Sequence, residues 1–252
     1  MVCGSTQGIG RAIAEELALL GATVTLVARN EEKLREAQTE LPTPQNQKHR
    51  FLCADFSRPD ELQSKLELHL QDNTAYHILI NNTGGPAGGP IANARTDEFL
   101  SAFNNHLICN HLLAQALLAG MKEEKYGRII NIISTSVKQP LKGLGVSNTI
   151  RAAVANWAKT LATEVAPFGI TVNNVLPGAT KTARLASIIT NKAGKTGHQI
   201  EDVEKEMLAE IPAGRFGAAE EIAAAAAFLA SPAAGYINGI NVPVDGGRTG
   251  CL

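Results

Sequence analysis

The sequence of 252 residues is poor in aromatic side chains, which make up 4% of it, and has no excess of charge of either sign. Lys and Arg number 23 against 24 Asp and Glu. This balance gives no indication of a nucleic-acid or membrane-surface partner. No apolar stretch approaches the ~18 residues of a membrane-spanning helix, and no N-terminal apolar run precedes a cleavage site. We therefore expect a soluble, cytoplasmic protein.

Cysteine is also scarce, and the cysteines are scattered along the chain. None forms a CxxC pair or a His-paired metal spacing. We expect free thiols in a reducing compartment and no metal site. The four positions are Cys3, Cys53, Cys109 and Cys251.

Patterns typical of helices and strands alternate along the whole chain, without a linker or repeat. Such alternation predicts an α/β protein with βαβ units. We expect one Rossmann-type, doubly wound domain over residues 1–252, with a seven-stranded, mostly parallel sheet and six or so helices on its two faces. After a first strand at the N-terminus, strands are predicted at residues 23–28, 51–54, 78–82, 128–134, 170–176 and 239–245.

The first strand is unusual, because only Met1–Cys3 precede a glycine-rich turn. A central parallel strand usually has about five residues. Two alternatives stay open: the natural chain begins upstream, or this strand is very short.

The glycine-rich turn reads Gly4-Ser-Thr-Gln-Gly8-Ile-Gly10 and precedes an Ala-rich helix. Glycine is needed where the backbone turns tightly against a pyrophosphate, whose charge then lies at the helix N-terminus. The turn predicts a dinucleotide site, although by itself it is a weak signal.

Further motifs follow in order: Asp55 after the third strand, 81–84 (NNTG), 127–134 (GRIINIIS), 177–182 (PGATKT), 215–217 (RFG) and 244–247 (VDGG). With the GxxxGxG turn, this series resembles the short-chain dehydrogenase/reductases from residue 1 to about 248, in particular their 3-oxoacyl-ACP-reductase-like branch. The resemblance implies the Rossmann fold and a dinucleotide cofactor.

The cofactor is expected to be NADP(H), with NAD(H) less favoured. The second strand ends at Arg29 rather than at an acid that would bind the ribose hydroxyls, and a guanidinium suits a 2′-phosphate. The resemblance implies these cofactor-binding residues: Gly4, Ser5, Gln7, Gly8, Ile9, Gly10, Arg29, Asn30, Asp55, Phe56, Asn82, Thr83, Gly84, Arg151, Pro177, Gly178, Thr180 and Thr182.

The family's catalytic Asn, Ser, Tyr and Lys are only partly present. Ser134 falls on the serine position. Ser147 and Arg151 occupy the tyrosine and lysine positions, and His106 occupies the asparagine position. No shift of the alignment recovers a tyrosine, since none lies between Tyr126 and Tyr236.

These replacements limit the expected chemistry. A serine hydroxyl is a far weaker acid than a phenol, whose pKa is about 10, and arginine does not deprotonate. His106, with a usual pKa of about 6.5, could act as an acid. One hypothesis is an NADPH-dependent carbonyl reductase of 3-oxoacyl-like or other small ketones, its proton coming from Ser134, Ser147, His106 or water. Others are a dinucleotide-binding homologue without turnover (sensor, scaffold or regulatory subunit), and elimination or epimerisation.

The polar segment 182–211 is predicted to be a mobile helical substrate lid. Its basic residues could attract a carboxylate or phosphopantetheine, but its acidic residues favour a solvated helix of mixed charge. The basic residues are Arg184, Lys192, Lys195, His198 and Lys205.

The helix at 146–165 has more apolar positions than one core-facing stripe needs, so a homotetramer or homodimer is expected.

Overall fold

The seven strands form one sheet in a computed structural model that describes residues 1–72 and 75–251. All the described strand pairs are parallel. The strands are β1 (Val2–Cys3), β2 (Thr25–Ala28), β3 (Arg50–Cys53), β4 (Ile78–Asn81), β5 (Gly127–Ile132), β6 (Ile170–Pro177) and β7 (Asn241–Val244).

The strand order is β3-β2-β1-β4-β5-β6-β7, which confirms the predicted doubly wound fold. The chain reverses its direction of growth at β1, between β2 and β4. In open sheets of this kind, ligands bind outside the carboxyl ends of the strands at this switch point. The first strand is short but fully buried, with Val2 paired to both Leu26 and Ile80.

Helices cover both faces of the sheet, more of them than predicted. One face packs against α1, α2 and α9, and the other against α3, α5 and α6. The described α-helices are α1 (Gly8–Leu19), α2 (Glu31–Glu40), α3 (Pro59–His69), α4 (Thr96–Phe103), α5 (Cys109–Glu123), α6 (Gly145–Val165), α7 (Ala183–Thr196), α8 (Ile200–Ala209) and α9 (Ala219–Ala230).

The helical segment 96–123 is continuous but not uniform. A π-helical turn, Asn104–Ile108, joins α4 to α5. Such insertions are rare and often mark functional sites. This one contains His106, which is buried.

The segment predicted as a lid consists of α7 and α8, with a small apolar cluster of its own. Leu185 and Ile189 pack with Val203, Ile211 and Phe216 in this cluster. The segment therefore has an ordered apolar interior as well as its charged outer surface.

A ladder of four asparagines crosses the sheet. Asn81, Asn131, Asn174 and Asn241 lie in register on neighbouring strands. Each side-chain amide donates to the next carbonyl oxygen, over 2.9, 2.8 and 2.8 Å in turn. Buried amides are costly unless they are hydrogen-bonded, so this ladder satisfies most of these polar atoms, although the Asn81 Oδ1 at its edge has no partner among the described residues.

No helix in the described part of the chain is long and apolar enough to cross a membrane. Within the same residues, no group of three or more His, Cys, Asp or Glu side chains is placed to hold a metal ion.

Candidate active site

The glycine-rich turn between β1 and α1 has no room for a side chain at Gly4 or at Gly10. A Cβ on Gly10 would lie 2.2 Å from the Gly4 carbonyl oxygen, and one on Gly4 would lie 2.6 Å from the Asn82 carbonyl oxygen. Gly4 and Gly8 have φ of +59° and +56°, which favour glycine. The Asn82 amide donates to the carbonyls of Cys3 and Gly4 at 3.2 and 3.4 Å. The turn is thus held against the end of β4 and fits the phosphates of a dinucleotide.

Segments distant in the chain surround this turn. A Cβ on Gly8 would lie 3.4 Å from the Thr182 methyl group, so the start of α7 borders the phosphate site. The Thr182 hydroxyl accepts the Leu185 N–H at 3.3 Å and begins that helix. Gly178 packs against Asp245, where a Cβ would lie only 2.7 Å away. The Thr180 hydroxyl donates to the Gly178 carbonyl at 3.1 Å, which fixes the loop after β6.

At the ends of β2 and β3, Arg29 is exposed and Asp55 faces it. The pKa of Asp55 is lowered, mainly by the Ser57 backbone N–H and further by Arg29. No acid follows β2 until Glu31, the first residue of α2. This end of the sheet therefore presents a guanidinium, and no acid, to a ligand at the ends of β2 and β3.

Other predicted cofactor residues have local structural partners. The Asn30 side chain accepts the Lys33 N–H at 2.9 Å and caps α2. The Ser5 hydroxyl is buried and donates to the Val27 carbonyl at 3.4 Å. The remaining predicted positions lie around the same edge: Gln7 at the N-cap of α1, Ile9 against the core, Phe56 after β3, Gly84 after β4 and Pro177 at the end of β6.

Arg151 extends from α6 and bridges two strand ends. Its guanidinium donates to the Ile132 carbonyl at 3.1 Å and the Thr83 carbonyl at 3.4 Å. The residue is 7% exposed. Burial lowers its pKa to about 10, with a further contribution from Arg184. No ion pair of Arg151 is found among the described residues, so it is a buried cation held by backbone carbonyls.

His106 also meets Thr83, since its Nδ1 is hydrogen-bonded to the Thr83 hydroxyl. The expectation that His106 titrates near neutrality is wrong. Burial, with a contribution from the Arg151 charge, lowers its pKa to about 2. The imidazole is therefore neutral at physiological pH and cannot act as an imidazolium acid.

The two predicted serines lie on different elements. Ser134 follows β5, and its hydroxyl oxygen accepts the Ser136 N–H at 3.1 Å, which leaves its own proton free to donate elsewhere. Ser147 and Arg151 are four residues apart on α6, so they share a face of the helix. Both serines are half-buried.

None of the chain's three tyrosines lies at this edge of the sheet. The Tyr76 hydroxyl bonds Thr25 and His69, and the Tyr126 hydroxyl donates to the Ala230 carbonyl. Tyr236 is fully exposed before β7. Each of these tyrosines precedes a strand, so all three lie at the amino ends of the strands, opposite the candidate site.

Gly85, in the loop after β4, is a site residue that the sequence motifs did not single out. A Cβ on Gly85 would lie 3.5 Å from Arg184 Nη2 and 3.7 Å from Arg151 Nη2. Gly85 also lines a cavity of about 300 Å³ together with Asn105, His106 and Val146. A second cavity, of about 450 Å³, lies under α7 and α8 and is lined by residues such as Lys181, Leu185 and Phe216.

Comparisons with known proteins agree with this architecture. The family model described as enoyl-(acyl carrier protein) reductase matches residues 4–249. The 3-oxoacyl-[acyl-carrier-protein] reductase FabG of Haemophilus influenzae is 35% identical over 247 residues, which cover 98% of this chain and 96% of that protein.

Two solved structures are similar over the whole chain. The crystal structure of YwfH, an NADPH-dependent reductase involved in bacilysin biosynthesis, has a TM-score of 0.93 at 29% identity and covers 100% of this chain and 98% of its own. L-Sorbose reductase from Gluconobacter frateurii, in complex with NADPH and L-sorbose, has a TM-score of 0.91 at 30% identity, covering 100% and 96%. The chain therefore belongs to the short-chain dehydrogenase/reductase family, and it is an oxidoreductase of that type.

Proposed function

We propose that this protein is an NADP(H)-dependent carbonyl reductase that works without a tyrosine proton donor. The observation that carries the proposal is that the glycine-rich turn, the exposed Arg29 and the buried Arg151 lie at the same edge of the sheet. The NADPH-dependent reductase YwfH and the complex of L-sorbose reductase with NADPH support the choice of cofactor. A small ketone, 3-oxoacyl or other, fits a cavity of about 300 Å³.

Bound NADPH would supply a hydride to the carbonyl carbon. The residues of the chain must then stabilise and protonate the carbonyl oxygen. The Ser134 hydroxyl has a free proton to donate to that oxygen, and the Arg151 guanidinium places a fixed positive charge between the ends of β4 and β5. Such pre-arranged charge is worth most where water is excluded. We assign the transferred proton to water. His106 is neutral, a serine hydroxyl is too weak an acid, and arginine does not deprotonate, so none of the described candidate residues supplies the proton itself.

In this proposal His106 positions other groups rather than transferring a proton. Its neutral ring bonds the Thr83 hydroxyl, and the Thr83 carbonyl accepts from Arg151. Ser147 lies one helical turn before Arg151 at the position where the family has its phenol, and it leaves space for a water molecule there.

The alternative is a family member that binds the dinucleotide without turnover. The observation that favours it is the location of all three tyrosines at the opposite edge of the sheet. Losing a positioned acid typically costs about 10²- to 10⁴-fold in rate. The reduction of a reactive carbonyl remains measurable after such a loss of rate. Reactive carbonyl substrates therefore distinguish a reductase from a protein that only binds the dinucleotide.

We also propose a homotetramer or homodimer. The α6 helix exposes Ala152, and its Trp157 and Leu161 stay only half-buried although they pack against the core. Light scattering coupled to size-exclusion chromatography tests this proposal, and a monomer alone would remove it.

The experiment for the function is NADPH oxidation with a panel of reactive diketones and quinones. Turnover by the wild type that falls about 100-fold or more in Arg151→Met supports the reductase. The matched control is Lys138→Met, which removes a cation from the short loop after Ser134 and is expected to keep its activity. Tight NADPH binding with no turnover of any carbonyl supports the alternative.

A further inference from the structure

Two guanidinium groups, those of Arg151 and Arg184, converge beside the cavity of about 300 Å³. Arg184 Nη2 and Arg151 Nη2 approach the same point on Gly85, at 3.5 and 3.7 Å from the position of a Cβ. Among the described residues, neither arginine forms an ion pair. Each instead donates to carbonyls of the loop after β4, Arg184 to Pro86 at 2.7 Å and Arg151 to Thr83 at 3.4 Å.

The acids nearest this cavity are already engaged. Asp97 and Glu98 line it, but Asp97 pairs with the Arg95 guanidinium at 2.7 Å and Glu98 accepts the Arg95 backbone N–H at 2.8 Å. Two positive charges thus face each other across Gly85, and the charge of Arg184 lowers the pKa of Arg151. Like charges so close are unfavourable until an anion lies between them.

We propose that Arg151 and Arg184 form an anion subsite for a carboxylate of the substrate, so that the substrate class is short oxo acids. This inference rests on the proposed reductase function. A carboxylate whose two oxygens accept charge-assisted bonds of about 2.8 Å can bridge the two guanidinium groups. Arginine keeps unused donors for this purpose, since it has five N–H groups and Arg151 uses two in the described contacts.

The two residues have different parts in this subsite. Arg151 is buried and fixed by β4 and β5, so it forms the inner side and also belongs to the catalytic machinery. Arg184 is exposed, in the first turn of α7, and its bond to the Pro86 carbonyl is one that an anion can replace. Arg184 is therefore the residue that determines specificity, and an oxo acid would draw α7 towards the loop after β4.

The test compares an oxo acid with its methyl ester. The two substrates have the same reacting ketone, and only the acid carries a negative charge. With NADPH saturating, the wild type should have a kcat/KM for the acid at least about 10-fold above that for the ester. In Arg184→Met this preference should disappear, because the KM for the acid should rise towards that for the ester. Arg184→Lys, which keeps the charge but loses the planar fork, should retain part of the preference.

The matched control is Lys195→Met. Lys195 is another exposed cation of α7, and it donates to the Gly88 carbonyl of the same loop at 3.5 Å. This variant should keep the preference for the acid. Equal loss in both variants would overturn the subsite, because the effect would then be one of overall charge. Weaker NADPH binding by Arg184→Met would also overturn it, because the anion would then belong to the cofactor.

A failure of the reductase function is distinguishable from a failure of the subsite. If the wild type reduces no carbonyl, calorimetry measures binding of a saturated carboxylate of matching length to the NADPH-loaded protein. Saturable binding that is lost in Arg184→Met supports the subsite, and no binding by the wild type overturns it.

Discussion

Replacing Gly10 by alanine should disrupt cofactor binding more than folding. The new Cβ would lie 2.2 Å from the Gly4 carbonyl oxygen, against the 3.4 Å at which ordinary contact begins, a shortfall of about 1.2 Å. It would also lie 2.6 Å from the Asn82 amide nitrogen. The turn between β1 and α1 must therefore move by about an ångström. Overpacking of this kind costs about 1–3 kcal/mol of stability, and a misplacement of about 1 Å in a binding site costs about 100-fold.

The assay for Gly10→Ala is calorimetric titration with NADPH, beside urea unfolding of the same sample. We expect binding at least about 100-fold weaker than in the wild type and a protein that still unfolds cooperatively. The control is Gly194→Ala, a substitution in α7 where a Cβ meets nothing within 4 Å. It should leave binding unchanged and stability equal or slightly higher. Wild-type affinity in a folded Gly10→Ala protein would refute the phosphate cradle.

Three further outcomes are expected. Arg29→Ala should weaken NADPH binding at least about 10-fold and leave NADH binding unchanged; equal effects on both nucleotides in calorimetry would contradict the 2′-phosphate role. Asn174→Ala should lower the free energy of unfolding by about 2–4 kcal/mol, because the Asn131 amide and the Asn241 carbonyl lose their partner; a loss below about 1 kcal/mol in urea would show that the ladder relaxes. His106 is neutral in the fold, with its pKa lowered from 6.5 to about 2, so its contribution to stability is complete above pH 6.5 and declines as the pH falls. In the wild type this loss should give the free energy of unfolding a slope of about 1.4 kcal/mol per pH unit between pH 6 and 4, and His106→Asn should remove that slope. Identical pH profiles of urea unfolding for the wild type and the variant would contradict this.

The fold could be predicted closely because its signals are local. The alternation of strands and helices predicted a doubly wound parallel sheet, and the glycine-rich turn predicted a tight connection between the first strand and an Ala-rich helix. The π-helical turn at Asn104–Ile108 was not predicted, because the sequence there continues an ordinary helical pattern. The lid appeared as one polar segment, since the apolar residues that join α7 to α8 are spaced too widely to be recognised as one cluster.

The sequence indicated which residues would lie at the carboxyl edge of the sheet, but not the electrostatics of the site that they form. His106 has an ordinary titration range in solution, and only burial near Arg151 removes it. The convergence of Arg151 and Arg184 on Gly85 depends on three segments meeting in space. The asparagine ladder likewise depends on strand register. Its sequence signal is one asparagine in each of four strands, and only the strand register shows that these asparagines are neighbours.

Transfer of an isotopic label tests the central claim most directly. The protein is mixed with a reactive diketone and NADPH carrying deuterium at one or the other face of the nicotinamide C4, and the product is analysed by mass spectrometry. If the protein is a carbonyl reductase, one labelled form gives an alcohol with a single deuterium on the carbinol carbon, and Arg151→Met abolishes the transfer. If NADPH binds but neither labelled form transfers deuterium to any carbonyl of the panel, the reductase account is contradicted.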